Sequence, residues 1–171
     1  NKQMKSLIIS FLLLFTFFNL KGQAFNVDSL ENVLRQNIHD TSKVKILTDL
    51  AQHYLSKDFQ QSINYGHKGI VIAKKIGSVK YLAQIYRILS ISHLEINTHL
   101  DSMLLYNQNE LENIKQLDNR LMEIKNLNIL GLIHNQNNNH KEAISTYFKA
   151  LKLARKEQNS NLIISILNNL G

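Results

Sequence analysis

Cysteine, proline and tryptophan are absent from this chain of 171 residues. Without cysteine the chain cannot form disulfides, thiolate metal sites or a cysteine nucleophile. Proline removes a backbone hydrogen-bond donor and clashes with the preceding helical turn, so its absence favours long uninterrupted helices. Hydrophobic residues make up 44% of the chain, which is enough to bury a core of ordinary domain size.

Motifs that mark catalytic or phosphate-binding sites are also missing. The sequence contains no GxSxG, GxxxxGK(S/T), HExxH or DxDxDG pattern. The acidic pair Glu110 and Glu112 is predicted to lie on a helix surface, on different faces because the spacing is two. The segment GHKG, residues 66–69, is predicted to lie inside a helix, where its glycines favour close packing over phosphate binding. We therefore expect no enzyme activity and no cofactor within this chain.

The formal net charge of +7 does not form a basic patch. No stripe of arginine interleaved with aromatic residues is present, so solvated helix faces explain the charge better than nucleic-acid binding does. The scattered basic residues beyond the leader include Lys43, Lys45, Lys74, Lys75, Arg120, Lys149, Lys152, Arg155 and Lys156.

The N-terminal segment MKSLIISFLLLFTFFNLKGQAF has the layout of a signal peptide. Lys5 supplies a positive start, an apolar run extends from Leu7 to Leu20, and small residues at Gly22 and Ala24 precede a cleavage position before Phe25. The apolar run is shorter than the ~20 residues of a membrane-spanning helix, although an uncleaved N-terminal anchor is the alternative. We predict that residues 1–24 are a signal peptide and that the chain is exported to the periplasm or cell envelope, without a membrane span after the leader is removed.

A repeat of about 40 residues runs through the rest of the chain. Leu130-Gly131 aligns with Leu89-Ser90, with Leu50-Ala51 and with Leu170-Gly171. The downstream alignment places His134 over His93 and Tyr54, His140 over His99 and Phe59, Ala143 over Ser102 and Ser62, Ile144 over Met103 and Ile63, Tyr147 over Tyr106 and Gly66, and Ala150 over Asn109 and Gly69.

Each repeat is predicted to consist of two helices, because apolar residues recur every three or four positions. The helices are expected near 42–56, 60–76, 79–96 and 99–117, and the third repeat has a similar pair on either side of the asparagine turn NQNNNH. A short helix near 28–37 precedes them, with Asp28 as its N-cap and Glu31 three residues later. The apolar stripe of the last complete helix is predicted to be Ala143, Ile144, Tyr147, Ala150, Leu151 and Ala154.

The repeat also bears on the two histidines of the third repeat. His134 and His140 occupy positions filled by Tyr54 and Phe59 in the first repeat, and a metal-binding pair would not be interchangeable with these residues. Two histidines also supply too few ligands for zinc. We interpret them as packing residues of the core or its rim and predict no metal site.

The stretch LNILGLIHNQNNNHKEAISTYFKALKLA resembles a tetratricopeptide repeat through Leu130-Gly131, Ala143, Tyr147 and Ala150. The usual large aromatic of the first helix is His134 here, the usual proline after the second helix is absent, and the period is near 40 instead of 34. The pattern resembles the long-period variant of exported Bacteroidota proteins and of the periplasmic sensor regions of histidine kinases. The resemblance implies an all-α, right-handed α-solenoid of antiparallel helix pairs. It would comprise an N-terminal capping helix at 25–40 and an array at 41–171, with repeats at about 41–78, 79–118, 119–158 and a truncated 159–171.

The family resemblance further implies a concave groove, lined by the first helices, that binds a peptide or partner protein. The groove is mixed basic and polar, which suits an acidic ligand or a C-terminal carboxylate. The residues predicted to line it are Lys45, Thr48, Gln52, Gln84, Arg87, Ile91, Lys125, Asn128 and Asn135.

Two functions are compatible with this reading. The first is an exported, non-catalytic scaffold for protein–protein interaction. The second is the periplasmic sensory region of a membrane histidine kinase or other regulator whose catalytic part and membrane anchor lie beyond residue 171. The apolar stripe of Ile163, Ile164, Ile166, Leu167 and Leu170 has no following helix to cover it, so we expect the chain to be a fragment of a longer protein.

Overall fold

The computed structural model describes residues 26–97 and 99–171, and all regular secondary structure in these ranges is α-helical. The all-α prediction is therefore confirmed for this part of the chain. The helices are α1 (Val27–Leu34), α2 (Asp40–Tyr54), α3 (Phe59–Lys75), α4 (Val79–Glu95), α5 (Leu100–Leu117), α6 (Arg120–Gln136), α7 (His140–Lys156) and α8 (Ser160–Leu170). The predicted signal peptide lies outside the described residues.

The chain divides into two compact units, with α1 in the unit that ends at Gln36 and α2–α8 in the unit from Asn37 to Gly171. Helix α1 begins at Val27, and the side chain of its N-cap, Asn26, accepts a hydrogen bond from the Ser29 amide at 2.9 Å. The prediction that Asp28 is the N-cap is wrong, because the helix starts one residue before Asp28. The Asp28 carboxylate instead lies in the first turn, where it interacts favourably with the helix dipole.

Within the second unit, each helix packs against the next one along the chain, from α2 to α8. The connections are two to four residues long, which keeps consecutive helices side by side. We call α2, α4, α6 and α8 the first helices and α3, α5 and α7 the second helices. Consecutive first helices also approach each other directly, whereas the backbones of the second helices do not. The helices are thus closer together on the side of the first helices.

Left-handed turn residues separate the helices at intervals of about 20 residues. Gly77, Asn97, Asp118, Asn138 and Gln158 all have φ between 46° and 64°. Three of these turns are closed by a hydrogen bond from the following amide to a carbonyl in the last helical turn, which is the Schellman arrangement. The bonds are Ser78 N to Ala73 O at 2.9 Å, Asn139 N to His134 O at 2.9 Å, and Asn159 N to Ala154 O at 3.1 Å. The predicted asparagine turn is therefore real, although Asn135 and Gln136 still belong to α6.

The second helices share one burial pattern. Counted from its first residue, each buries the fourth, eighth, eleventh and fifteenth positions. These residues are Ser62, Gly66, Gly69 and Ala73 in α3, Met103, Asn107, Glu110 and Ile114 in α5, and Ala143, Tyr147, Ala150 and Ala154 in α7.

This pattern corrects the predicted alignment of the second repeat by one residue. Met103, Asn107 and Glu110 occupy the core positions that had been assigned to Ser102, Tyr106 and Asn109. The error came from aligning His99 with His140: His140 is the first residue of its helix, whereas His99 is an N-cap and lies outside the helix. The predicted stripe of α7 also needs one correction, since the Ile144 side chain is 48% exposed.

The core is built by pairing small residues with large ones on the facing helix. A Cβ atom at Gly66 would lie 2.8 Å from Leu89 Cδ2, and one at Gly69 would lie 2.8 Å from Ile85 Cδ1. The prediction that the glycines of GHKG serve close packing is therefore confirmed. In the third repeat the glycine is on the first helix, α6, and the large residue is on the second helix, α7. Gly131 lies under the ring of Tyr147, and a Cβ atom at Gly131 would overlap that ring. None of the described helices is both long and apolar enough to cross a membrane.

Candidate functional site

Eight of the nine predicted groove residues lie at matching positions of the first helices. They are the sixth, ninth or thirteenth residues of α2, α4 and α6, counted from the helix start. Thr48 is buried, and we call the other seven the first-helix surface: Lys45, Gln52, Gln84, Arg87, Ile91, Lys125 and Asn128. The side chains of Lys45, Gln52 and Lys125 are exposed, and the other four are half-buried. Helices α2, α4 and α6 are in contact in that order, so the seven residues occupy equivalent positions on neighbouring helices.

The structure separates the other two predicted residues from this surface. Thr48 is buried, and its hydroxyl donates to the carbonyl of Val44 at 2.7 Å. Asn135 lies one turn beyond the matching position, which Leu132 occupies, and its Oδ1 is 2.9 Å from Nδ1 of His140 across the turn. Thr48 therefore supports its own helix, and Asn135 helps to connect α6 with α7.

The positive charge of the first-helix surface is partly compensated. Lys45 Nζ lies 2.6 Å from Asp49 Oδ2 in an exposed ion pair on α2, and the hydrogen bond to Asp49 raises the pKa of Lys45. Asn128 is also engaged, since its Oδ1 accepts from Asn169 Nδ2 of α8 at 3.0 Å. Asn169 is not among the predicted groove residues. Its contact with Asn128 extends the first-helix surface to α8. Within the described residues, the salt bridges include neither Arg87 nor Lys125.

A second set of polar residues lies inside the protein, between α5 and α6. We call Asn107, Glu110 and Asn126 the buried polar cluster. Glu110 and Asn126 have no exposed surface, and Asn107 is 3% exposed. The two asparagines bond each other's backbones: Asn107 Nδ2 donates to Asn126 O at 3.1 Å, and Asn126 Nδ2 donates to Asn107 O at 2.9 Å. Asn126 Nδ2 also donates to Glu110 Oε2 at 3.0 Å.

This burial has a strong electrostatic effect on Glu110. Removal from water disfavours the charged carboxylate and raises the pKa of Glu110 to about 7, although the Asn126 hydrogen bond and the positive charge of Arg87 act in the opposite direction. Among the described atoms, Glu110 Oε1 and Asn126 Oδ1 have no hydrogen-bond partner. Arg87 therefore links the first-helix surface electrostatically with the buried cluster.

The prediction that Glu110 lies on a helix surface is wrong, whereas Glu112 is exposed as expected. The sequence did contain a signal for the buried position. Met103, Asn107, Glu110 and Ile114 follow one another at the same spacings as Ala143, Tyr147, Ala150 and Ala154. Two polar side chains on an otherwise apolar stripe made that stripe look like a surface.

Tyr106 of α5 contacts two histidine side chains, one on α3 and one on α4. Tyr106 of α5 stacks on His93 of α4 with ring centroids 5.0 Å apart, and its hydroxyl lies 3.0 Å from Nε2 of His67 on α3. Burial and the nearby His67 lower the pKa of His93. These contacts are those of packing residues, and no group of three or more His, Cys, Asp or Glu residues in the described part of the chain is arranged to hold a metal ion.

The two histidines of the third repeat differ in their surroundings. His134 is half-buried, and its Nδ1 has no hydrogen-bond partner among the described atoms. His140 is exposed at the start of α7. His134 therefore packs at the edge of the core, and His140 contributes to the turn through Asn135.

Comparison with other proteins adds no identification: no protein-family model matches the chain, and no curated protein is significantly similar to it. The residues of the first-helix surface and of the buried polar cluster are thus the basis for any functional conclusion.

Proposed function

We propose that this chain is a non-catalytic scaffold of the tetratricopeptide type that binds a peptide or a partner protein on its first-helix surface. In this proposal α2–α8 form a right-handed solenoid of antiparallel helix pairs. The burial pattern common to α3, α5 and α7 supports it, because three helices with one pattern and a spacing near 40 residues are equivalent members of a repeat.

The observation that carries the binding proposal is the closer approach of the first helices. The backbones of consecutive first helices approach each other closely, whereas those of consecutive second helices do not. A row of helix pairs with this difference curves with its first helices on the inside, and a concave surface of this kind suits an extended or helical ligand. The exposed residues of that surface are the ones available to a ligand.

The chemistry of the surface favours a ligand with acidic and apolar groups. Lys125 and the half-buried Arg87 offer positive charge, and Ile91 and Leu132 add apolar area at the thirteenth position of their helices. Charge-assisted hydrogen bonds to a carboxylate are stronger than neutral ones, so an acidic group in the ligand would supply orientation.

Selection of a phage-displayed random peptide library on the chain tests this proposal. Selected peptides are then measured against the double variant Lys45→Glu and Lys125→Glu, with Lys149→Glu and Lys152→Glu on α7 as a control of equal charge change. All four lysines are exposed. We expect the first pair to weaken binding about tenfold or more, which is about 1.4 kcal/mol, and the control pair to have little effect. Equal weakening by both pairs, or failure to select any peptide, would contradict the proposal.

We also propose that the protein is exported, on the basis of the leader at residues 1–24. Expression of the complete chain in a Gram-negative host, followed by N-terminal sequencing of the periplasmic fraction, tests this. A mature protein that starts at Phe25 is the expected product. Retention of the leader on a cytoplasmic protein would count against export.

A further inference from the structure

Glu110 is a carboxyl group buried at a helix junction without a matching positive partner. It has no exposed surface, and none of the salt bridges in the described part of the chain includes it. Its eleventh position in α5 corresponds to Gly69 in α3 and Ala150 in α7, where a small residue allows helices to pack closely. Glu110 thus places a carboxyl group where the equivalent residues of the other two second helices are small.

The hydrogen bonds of the buried polar cluster suit a neutral carboxyl better than an ionised one. The Asn126 amide is held with its nitrogen toward Asn107 O and Glu110 Oε2, because only the nitrogen can donate to these two acceptors. An ionised Glu110 then has one hydrogen bond from protein and a second oxygen, Oε1, with no partner among the described atoms. A neutral Glu110 adds a donor to a cluster whose remaining unpaired atoms, Oε1 and Asn126 Oδ1, are acceptors.

The charged surroundings of Glu110 are simple. Helix α5 packs on α4 and α6. From α4 the positive charge of Arg87 acts on Glu110 and favours the ionised form. From α6 the acting group is the uncharged amide of Asn126, and no charged group of α5 itself contributes. The balance between burial and Arg87 therefore decides the protonation state.

We propose that the contact between α5 and α6 is a proton-controlled joint, which is closed when Glu110 is neutral and loosens when Glu110 ionises. The pKa of Glu110 is raised in the folded protein relative to the unfolded chain, so its contribution to stability is fully present below the unfolded value, near 4.5, and is lost as the pH rises through about 7. The joint lies between the predicted second and third repeats and would change their mutual spacing. The proposal concerns the packing of α5 on α6 and does not depend on the identity of any ligand.

Hydrogen exchange at pH 5.5 and pH 8.5, corrected for the intrinsic pH dependence of the rate, tests the joint. The pKa of Glu110 is near 7 when the joint is closed and near 4.5 when it is open. The equilibrium constant for opening should therefore rise about 30-fold from pH 5.5 to pH 8.5. We expect protection in α5 and α6 to fall by about this factor while α2 and α3 change little. The variant Glu110→Gln, which keeps an oxygen acceptor for Asn126 and does not titrate, should abolish the pH dependence, whereas the exposed Glu112→Gln should behave as the wild type.

A direct titration keeps the proposal testable even if Glu110→Gln does not fold. Carbon-13 NMR of the glutamate carboxyls in the unmodified chain should reveal one group that titrates near pH 7, with exchange broadening or shift changes at α5 and α6 over the same range. A set of glutamates that all titrate near 4.5 overturns the proposal. Loss of protection that is equal in all helices also overturns it, because it would show a global effect without a joint.

Discussion

Gly131 and Tyr147 show how single residues decide whether two helices can pack. The Tyr147 ring is almost fully buried and rests on the backbone of Gly131, so no side chain fits between α6 and α7 at this point. Between the first and second repeats the roles are exchanged, since Leu89 of α4, a first helix, rests on Gly66 of α3, a second helix. A glycine is thus covered by a second helix within the third repeat and by a first helix at the contact between the first and second repeats.

We predict that Gly131→Ala lowers the free energy of unfolding by about 1 to 3 kcal/mol, because the new methyl group would overlap the Tyr147 ring. Alanine otherwise stabilises a helix interior by about 1 kcal/mol relative to glycine, so the sign of the change identifies the clash. Urea denaturation measures it. The exposed Ser165→Ala in α8 is the control and should change stability by less than about 0.5 kcal/mol. A stabilised Gly131→Ala would mean that the two helices are not in contact here.

The left-handed turns permit a second prediction at this scale. Gln158 has a φ of 52°, a conformation that glycine adopts without steric cost and that glutamine does not. We expect Gln158→Gly to raise the free energy of unfolding by about 0.5 to 1 kcal/mol. Gly77, at the equivalent turn after α3, has a φ of 64°, so Gly77→Ala should lower stability. Urea midpoints of the two variants should therefore move in opposite directions, and a shift in the same direction would contradict the turn geometry.

At the scale of helices, the buried polar cluster is the feature that distinguishes the α5–α6 contact. Elsewhere in the core the buried cross-helix hydrogen bonds come from serine hydroxyls, such as Ser62 Oγ to Ala51 O at 2.8 Å. Here two asparagines, Asn107 and Asn126, bond each other's backbone carbonyls. A buried hydrogen bond contributes modestly when both partners are present, but loss of one partner leaves the other unsatisfied. The contact is therefore sensitive to single substitutions.

We predict that Asn126→Ala lowers stability by about 2 to 4 kcal/mol, because it removes the donor to Asn107 O and to Glu110 Oε2. It should also raise the pKa of Glu110, since the Asn126 hydrogen bond stabilises the ionised form. Denaturation at pH 5.5 and carbon-13 NMR measure the two effects. In a double-mutant cycle with Asn107→Ala, the losses of unfolding free energy from the two single substitutions should not add in the double variant. Full additivity would mean that the asparagines act independently.

Helix α8 is expected to open more readily than the other helices of its unit. Ile166 is the one residue of α8 that is fully buried, while Ile164 and Leu167 are 57% and 44% exposed. Few buried contacts mean a low free energy of local opening. Hydrogen exchange should therefore be faster in α8 than in α4, which buries eight residues. Equal protection of the two helices would show that α8 has further contacts in solution.

Much of the helical architecture could be predicted because apolar spacing and turn residues act locally. The helices and the asparagine turn follow from these local signals, as does the close packing at Gly66 and Gly69. The burial of Glu110 could not be read in the same way, because a carboxyl group favours water in the absence of a fold and only its neighbours in α4 and α6 keep it inside. Thr48 was misjudged for a related reason, since its hydroxyl is satisfied by its own helix.

For the molecule as a whole, the sequence and structure lead to an all-helical chain with a repeated pattern of burial. The first-helix surface follows from the equivalence of α2, α4 and α6, and the structure brings seven of nine predicted residues onto it. The binding function and export remain predictions with the experiments given above.

The unequal spacing of the two sets of helices has a mechanical consequence. The backbones of the first helices are in contact, whereas the second helices are joined only by side-chain contacts such as that of His67 with Tyr106. Bending that moves the second helices apart therefore breaks few backbone contacts. Bending in the opposite sense must compress the side-chain contacts between the second helices, and close-packed interiors resist compression. Helices α2–α8 should therefore act as an elastic element that is softer in one bending direction than in the other. A pulling force applied across it would first be taken up by the bridges between second helices.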